Sequence, residues 1–526
     1  MQGHRLKAGV YAPRPPSNIG PFSTLGAKAL KVSLPILLFA LTWGACEWSF
    51  ARNRQLGYMG GLADNWYALG VNLAEDGVFG EGGRPTLFKP PGYPFFVAVV
   101  LRVVGVPQRA LTLSRFPPAS DLAGLSLPFD ENDLRRGATG VYHMQGLLLA
   151  TSAALLYGWL APLFGPRLAL LAGLLFGTSP YSIVLTGLLN YSVAHLFLII
   201  AASLSLQRAL RAETNRGLLL SLSGTLWGAS TLVRPVTLLL PPFLCLALVP
   251  VSPSLAQASR RLAHVLFGMG LVIAPWTCRN YAVSGRLVPV NAQAWKSVWA
   301  GTVKPIQADP SHFRYKWLRE EAIAIESQVA GEEHRVGWEP LDVKENLALE
   351  DRFEAEARRN IYERPSVYLG NAGRSFATFQ GDLNTVLIDV FSFIQAKGAE
   401  EIQQNWFAPR ATQDFHPRRR LSLGEAVGGL FVVLDVLALA GLVLGYLRRA
   451  AYLLVPGAVY LCLAVAHSIT WMDLMYYYVK VPFLIVFALS FLREAGCSAG
   501  VRPVSRAIEA ALWAGSLVLT LVFLFA

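Results

Sequence analysis

The chain has 526 residues, of which 53% are hydrophobic and 15% charged, with a mean hydropathy of +0.41. Soluble domains carry about 25% charged residues, so this composition excludes an ordinary water-soluble domain and points to a bilayer. The net charge of +12 gathers in short loops beside apolar segments. It is not interleaved with aromatics as a nucleic-acid groove would be, so no nucleic-acid partner is expected. Cys46, Cys245, Cys278, Cys462 and Cys497 mostly lie in or beside apolar runs without paired spacing, a pattern of membrane packing that indicates neither a disulfide framework nor a zinc site.

In chain order, residues 1–29 form a Pro-rich tail. Apolar runs of roughly 17–25 residues are long enough to cross a bilayer. Such runs are read near 30–48, 141–163, 167–187, 189–207, 217–234, 236–250, 262–278, 425–446, 451–469, 476–492 and 507–525. The expected fold class is an all-α polytopic membrane protein with about eleven transmembrane helices, a first outer loop of interfacial helices and a mostly helical outer cap. No small-residue cleavage site follows the first run, so it reads as an uncleaved anchor. Trp43 stands where a lipoprotein signal before Cys46 would want Leu or a similar residue. Pro241-Pro242 is expected to kink the sixth run.

Lys and Arg mark alternate loops: Arg5, Lys7, Arg14, Lys28 and Lys31; Arg208, Arg211 and Arg216; Arg260 and Arg261; Arg448 and Arg449; Arg493, Arg502 and Arg506. Positive charge favours the cytoplasmic side. The N-terminus is therefore expected in the cytoplasm and the C-terminus outside. The chain divides into a transmembrane catalytic module at 30–278 with its first outer loop at 49–140, an outer soluble region at 279–424, and C-terminal helices at 425–526.

The first outer loop holds the stretch with most chemistry. Leu62, Trp66, Leu69 and Leu73 recur at helical spacing, which predicts a helix lying in the membrane interface with Trp66 and Tyr67 at headgroup level. Asp64 falls off that stripe, on the face of Tyr67 and Val71. As an isolated acid it suits a helix N-terminus as well as it suits a site. Lys89 follows in the turn Phe88-Lys89-Pro90-Pro91-Gly92-Tyr93-Pro94. In the outer region, Glu320, Glu321, Glu326, Glu350, Glu354, Arg358 and Arg359 read as the solvated face of a small helical cap. His143, His195 and His467 lie in or near apolar runs, where ionisable groups mark sites but more often serve packing. Trp471, Tyr476, Tyr477 and Tyr478 read as an aromatic belt.

The first-loop pattern resembles the signature of the GT-C membrane glycosyltransferases. It comprises Asp64, Tyr67, Gly70 and Leu73, then Gly77-Val78-Phe79, then Lys89-Pro90-Pro91-Gly92-Tyr93-Pro94. The branch it resembles holds bacterial relatives of protein O-mannosyltransferases and the aminoarabinose transferase of lipid A. Leu232-Val233-Arg234-Pro235, Pro275-Trp276-Thr277-Cys278-Arg279-Asn280-Tyr281 with Gly285-Arg286-Leu287-Val288-Pro289-Val290, and Tyr478-Val479-Lys480-Val481-Pro482 follow in the family's order. Where the family carries an acid before the fourth span, this chain has Asn190. An amide can ligate a hard cation but brings no charge, which argues against a two-carboxylate metal site; Asp473 or Asp382 are the acids that could substitute.

The resemblance implies transfer of a sugar from a polyprenyl-phosphate donor to an acceptor hydroxyl at the outer face of the inner membrane, facing the periplasm. It implies Asp64 as the general base and Lys89, Arg279, Arg234 and Lys480 as cations for the donor phosphate. Tyr67, Tyr93, Asn190 and Tyr478 are expected to line the substrate. The metal, if the chain uses one, is a divalent ion with unassigned ligands. Expected partners are the lipid-linked sugar, a glycan, lipid or protein acceptor, and membrane lipids. The competing readings are transfer of a uronic acid or amino sugar to lipid A core, and a transporter or assembly factor on the same scaffold.

Overall fold

The computed structural model describes residues 24–54, 66–81, 83–105, 131–303, 316–330, 342–381, 421–448, 450–470, 478–496 and 502–525. Its first half runs through α1 (Thr24–Arg54), α2 (Trp66–Glu75), a two-residue hairpin of β1 (Gly80–Glu81) and β2 (Arg84–Pro85), and α3 (Gly92–Val104). Then come α4 (Glu131–Phe164), α5 (Pro166–Gly177), α6 (Pro180–Thr186), α7 (Ser192–Arg211), α8 (Arg216–Val233), α9 (Leu240–Leu248) and α10 (Leu255–Ser284). The region at 279–424, expected outside the membrane, holds α11 (Ala294–Thr302), α12 (Lys316–Ala330), α13 (Val343–Glu363) and α14 (Pro365–Gly381). The chain closes with α15 (Leu421–Leu447), α16 (Leu454–Ile469), α17 (Val481–Gly496) and α18 (Arg502–Phe525).

Most of each apolar run read from the sequence is helical among the described residues. Among the described residues, five helices are long and apolar enough to cross a membrane: Val32–Ala51, Arg136–Phe164, Ser192–Arg211, Leu255–Ser284 and Ala451–Ile469. The run at 167–187 is not one helix. It breaks between α5 and α6, because Pro180 disfavours helical backbone at Ser179 and starts the next helix where its missing N–H is harmless. The run at 236–250 is also divided, into a 3-10 turn at Pro235–Leu239 and the short α9. Pro241 and Pro242 sit in the first turn of α9, so they start a helix and do not kink one.

α2 is enclosed by protein: Trp66, Tyr67, Ala68, Leu69, Gly70 and Val71 are all buried. The apolar stripe was legible, but Tyr67, Gly70 and Val71 on the other faces are apolar or small too, so the helix is wrapped on every side. A Cβ on Gly70 would stand 2.5 Å from Val97 Cγ1, so the glycine lets α3 cross closely. The same device joins α8 to α10, where a Cβ on Gly224 would meet Val265 O and one on Gly268 would meet Ser221 O, each at 2.0 Å. Small residues at such crossings let membrane helices gain van der Waals contact, since lipid supplies no hydrophobic drive between them.

The helix ends sort by chemistry. At one end, Arg493 donates to Leu163 O at 2.7 Å, Arg448 pairs with Glu494 at 2.9 Å, and Arg261 donates to Val251 O at 3.0 Å. Cations there meet the carbonyl-rich C-termini of α4 and α17, as the helix dipole favours. The opposite end carries Lys89, Asn190, Arg234 and Arg279.

The described part of the outer region is helical. Trp299, Val303, Ala322, Leu349, Phe353 and Ala357 form its own small core. A capping box of Asp342 and Glu345 starts α13. Several of its charges are paired, not merely solvated: Arg286 with Asp351 at 2.8 Å, Lys296 with buried Glu326 at 2.6 Å, and Arg358 with Glu354 at 2.7 Å. Glu350 caps α11 from α13, its Oε1 accepting from Trp295 N at 3.0 Å. Burial pushes this carboxyl up from 4.5 to about 7, against the lowering effect of the backbone N–H groups of Trp295 and Ala294.

A raised folded pKa means that the folded lobe holds the proton between about 4.5 and 7 while the unfolded chain does not. The carboxyl's contribution to stability is thus complete below the lower value and lost as pH rises through the upper one. Glu350→Gln, which stays neutral, should match the parent in thermal stability at pH 5 and exceed it at pH 8, by on the order of 2 kcal/mol. A difference that does not change with pH would show that the carboxyl is ionised throughout.

Candidate active site

The Lys89 turn is built from outside itself. Pro90 and Pro91 have no N–H to close it, and its carbonyls are bound by donors distant in sequence. Arg279 donates to Thr86 O at 3.0 Å and to Phe79 O at 3.1 Å. Ala292 N donates to Leu87 O at 2.8 Å, and Asn291 Nδ2 to Phe88 O at 3.3 Å. Within the turn, Thr86 Oγ1 accepts from Phe88 N at 3.1 Å. The segment after α10 is held in turn by α10: Trp276 Nε1 donates to Val290 O at 2.8 Å, Asn280 Nδ2 to Val288 O at 2.9 Å and to Val290 O at 3.0 Å. The Trp276, Arg279 and Asn280 motif residues and the 285–290 motif are thus one clamp on the first loop.

Gly92 brings the turn to α8. A Cβ there would lie 2.6 Å from Val233 N and 2.8 Å from Leu232 C, so the Lys89 turn and the Leu232-Val233-Arg234-Pro235 turn touch backbone to backbone. Lys89 Nζ stands 5.0 Å from the centre of the Trp66 ring and 5.1 Å from Phe88. Trp66 packs edge-on to Tyr191 with centroids 5.1 Å apart, and the Arg234 guanidinium stands 5.5 Å from the Tyr191 ring. A cation of the first-loop turn and one just past the end of α8 therefore flank one pair of rings, each in a cation–π contact.

Gln145, fully buried on α4, joins this site to the second outer loop. Its Oε1 accepts from Tyr93 OH at 2.8 Å, and its Nε2 donates to Thr186 O at 2.9 Å and Leu188 O at 2.8 Å. Asn190 Oδ1 accepts from Ser192 N at 2.9 Å, capping the start of α7. The amide in place of an acid thus has a local backbone role. Among the described residues, no group of three or more His, Cys, Asp or Glu could hold a metal ion.

The remaining expected site residues divide. Asp64 lies outside the described residues, as do Asp382, Asp473, Trp471, Tyr476 and Tyr477. Lys89 and Arg234 come together. Arg279 does not act as an exposed cation: three of its donors go to Thr86 O, Phe79 O and Asn280 Oδ1, and its guanidinium stacks 4.8 Å from Trp276. Lys480 is also corrected. It is 0% exposed, donates to Phe379 O and stands 5.5 Å from the Phe379 ring, enclosed among α14, α15 and α17. Tyr67 and Tyr93 are core residues at 0% exposure, and Tyr478 stacks on Phe176 and donates to Phe176 O at 3.1 Å. Tyr478 is therefore interior packing and not part of an aromatic belt. The sequence reading passed over Gln145, although a polar residue inside an apolar run was the signal that could have found it. It also passed over Tyr191, which nothing in its local pattern distinguishes.

Comparison with known proteins gives the class. Residues 134–278 match the model of a family described as dolichyl-phosphate-mannose-protein mannosyltransferase. Among solved structures, ArnT from Cupriavidus metallidurans bound to undecaprenyl phosphate is similar at 14% identity and a TM-score of 0.35, with 90% of this chain and 79% of that one covered. AglB, an oligosaccharyltransferase from Archaeoglobus fulgidus, in complex with an inhibitory peptide and a dolichol-phosphate, is similar at 11% identity and a TM-score of 0.49. That match covers 95% of this chain but only 56% of the archaeal one. Another structure of the archaeal enzyme, in complex with Zn and sulfate, is similar at 12% identity and a TM-score of 0.44, covering 93% of this chain and 53% of that one. No curated protein matches the chain. The chain resembles the GT-C membrane glycosyltransferases, in the branch of protein O-mannosyltransferases and ArnT.

The clamp makes a stability prediction. Gly92→Ala should force the two turns apart and cost about 1–3 kcal/mol as overpacking does. Gly44→Ala, with nothing within 4 Å of its Cβ position, should be neutral. Arg279→Ala should cost about 1–3 kcal/mol by leaving Thr86 O without its donor, and Lys89→Ala should cost less. Equal stability of the Arg279 and Lys89 variants would remove the clamp from Arg279.

Proposed function

We propose that the chain is a glycosyltransferase that moves a sugar from a polyprenyl-phosphate donor to an acceptor hydroxyl at the outer face of a cell's inner membrane. Its N-terminus lies in the cytoplasm, and its site faces the periplasm. What carries the reading is the pairing of Lys89 and Arg234 across the Trp66–Tyr191 rings at one end of the helix bundle. An ammonium and a guanidinium set against one aromatic pair both suit a phosphate group. A lipid phosphate lying at the membrane surface presents that group. The match of residues 134–278 to a family of lipid-phosphate-sugar transferases supports the same chemistry.

Asp64 is the base in this reading. In the sequence it precedes by two residues the Trp66 whose ring stands against Lys89. The acceptor hydroxyl loses its proton to the Asp64 carboxylate as its oxygen attacks the anomeric carbon. The bond from that carbon to the phosphate oxygen breaks, and the negative charge gained by the departing lipid phosphate is stabilised by Lys89 and Arg234. Tyr191 and Trp66 keep water from both cations, which strengthens their action. Arg279 and Gln145 serve this arrangement by position, one fixing the first loop and the other the second. The acceptor is a glycan, a lipid or a protein.

Three substitutions separate the roles. Asp64→Asn should fold, retain donor binding and lose transfer by about 10²–10⁴-fold. Lys89→Ala and Arg234→Ala should weaken binding of donor and of free polyprenyl phosphate alike. Asp76→Asn, at an exposed position past the end of α2, should remain active. Transfer by Asp64→Asn within about threefold of the parent would exclude it as the base. It would favour a scaffold that transports or assembles without catalysis.

A further inference from the structure

Helix α13 reaches the Lys89 turn by two routes. Asn346 Nδ2, in its first turn, reaches Thr86 Oγ1 at 3.5 Å, and that oxygen accepts from Phe88 N inside the Lys89 turn. One turn further along α13, Glu350 holds the start of α11. Its Oε1 accepts from Trp295 N at 3.0 Å, and the Ala294 N–H also acts on the carboxyl. Just ahead of these two residues, Ala292 N donates to Leu87 O at 2.8 Å and Asn291 Nδ2 to Phe88 O at 3.3 Å. The residues that bind the turn thus lie between two anchors. Trp276 and Asn280 of α10 fix Val290 on one side, and Glu350 fixes Ala294 and Trp295 on the other. So short a segment has little slack, so a change in the hold on α11 is passed to Leu87 and Phe88, next to Lys89.

The second anchor is an acid in surroundings that oppose its charge. Glu350 Oε2 is shut from solvent and makes no hydrogen bond among the described residues. The charged groups packed nearby pair with one another. On its own helix, Asp351 pairs with Arg286 of the segment after α10, Glu354 with Arg358, and Glu356 with Arg352 and Arg359. Arg358 also stands 5.1 Å from the centre of the Trp295 ring. On α11, Lys296 pairs with Glu326 of α12. Burial is the largest influence on Glu350 and pushes its carboxyl up to about 7, with Glu354 and Asp351 acting in the same direction. A protonated carboxyl still accepts from Trp295 N through its carbonyl oxygen. A carboxylate leaves one oxygen charged and unbonded at the α11–α13 junction, and water can reach it only by parting the two helices.

We propose that Glu350, while it carries its proton, is a positioning residue for the donor phosphate: it seats the start of α11 and, through Ala292 and Asn291, the backbone of the Lys89 turn, and loss of the proton loosens that seat. This rests on the reading of Lys89 as a cation for the phosphate. A negative charge appearing on the lobe also disfavours an anionic ligand, so both effects have one sign. Donor binding is strongest on the acid side and weakens as pH rises through about 7. By linkage, bound donor makes Glu350 hold its proton more tightly.

The test uses the full chain in lipid nanodiscs, with free polyprenyl phosphate as the probe, at about pH 6 and about pH 8, on either side of the carboxyl's raised value. Affinity is compared between the parent and Glu350→Gln at each pH, because the titration of the phosphate itself affects both alike. Gln is neutral throughout, and its amide oxygen accepts as the protonated acid does. The two proteins should bind alike at the lower pH, and at the higher pH the parent should bind on the order of fivefold more weakly. Glu350→Ala, which lacks the acceptor, should bind weakly at both. Hydrogen exchange at the Phe88 and Ala292 amides reads the turn without any ligand: at the higher pH it should be faster in the parent than in Glu350→Gln. A parent-to-Gln affinity ratio that does not change with pH overturns the proposal, as does equal exchange in the two proteins at both pH values. If neither protein binds polyprenyl phosphate at either pH, the phosphate reading of Lys89 fails, and the exchange comparison shows separately whether Glu350 seats the turn.

Discussion

The arrangement depends on satisfying the backbone carbonyls of one proline-rich turn. Pro90 and Pro91 can donate nothing, and in a site at the edge of a bilayer an unbonded carbonyl is costly. The carbonyls of Phe79, Thr86, Leu87 and Phe88 are met by Arg279, Ala292 and Asn291. Those donors lie about two hundred residues further along the chain. The first outer loop therefore cannot take its shape until α10 and the segment after it are in place. This long-range constraint explains why short motifs far apart in the chain occur together.

The clamp also decides which cations can act. Arg279 resembles a site residue by its position at a helix end, but three carbonyl-type acceptors already hold its fork. Lys480 resembles one by its motif, but the bundle encloses it. Lys89 and Arg234 stand against ring faces, 5.0 Å from the centre of Trp66 and 5.5 Å from that of Tyr191. The aromatic pair holds both charges at one end of the bundle.

The outer region couples to this site through amides. Asn346 reaches Thr86 Oγ1 at 3.5 Å and Tyr368 donates to Ile469 O at 3.1 Å, while Asn371 ties α14 to α11 within the region, donating to Gly301 O and Val303 O at 3.1 and 3.0 Å. Neutral hydrogen bonds dock the lobe, while its ion pairs lie mostly on its exposed faces, where they contribute little. Salt should therefore disturb the lobe's surface more than its seating on the membrane helices.

Composition and the apolar runs determined the class: a chain too apolar for water, whose long runs must be helical because a bilayer offers their backbone no other partner. The order of Lys89-Pro-Pro-Gly, Arg234-Pro and Trp276 through Asn280 was legible as a set because each is a local chain pattern. What each residue does was not. The phosphate reading of Lys480 and the substrate reading of Tyr67, Tyr93 and Tyr478 took as exposed side chains that the helices enclose. Burial is decided by which helices pack on which faces, and a periodicity over one segment carries no record of its partners. The Trp66–Tyr191 pair and the Gln145 bridge exist only as meetings of distant segments. Only the tertiary structure, which sets the crossings at Gly70, Gly92, Gly224 and Gly268, could bring them together.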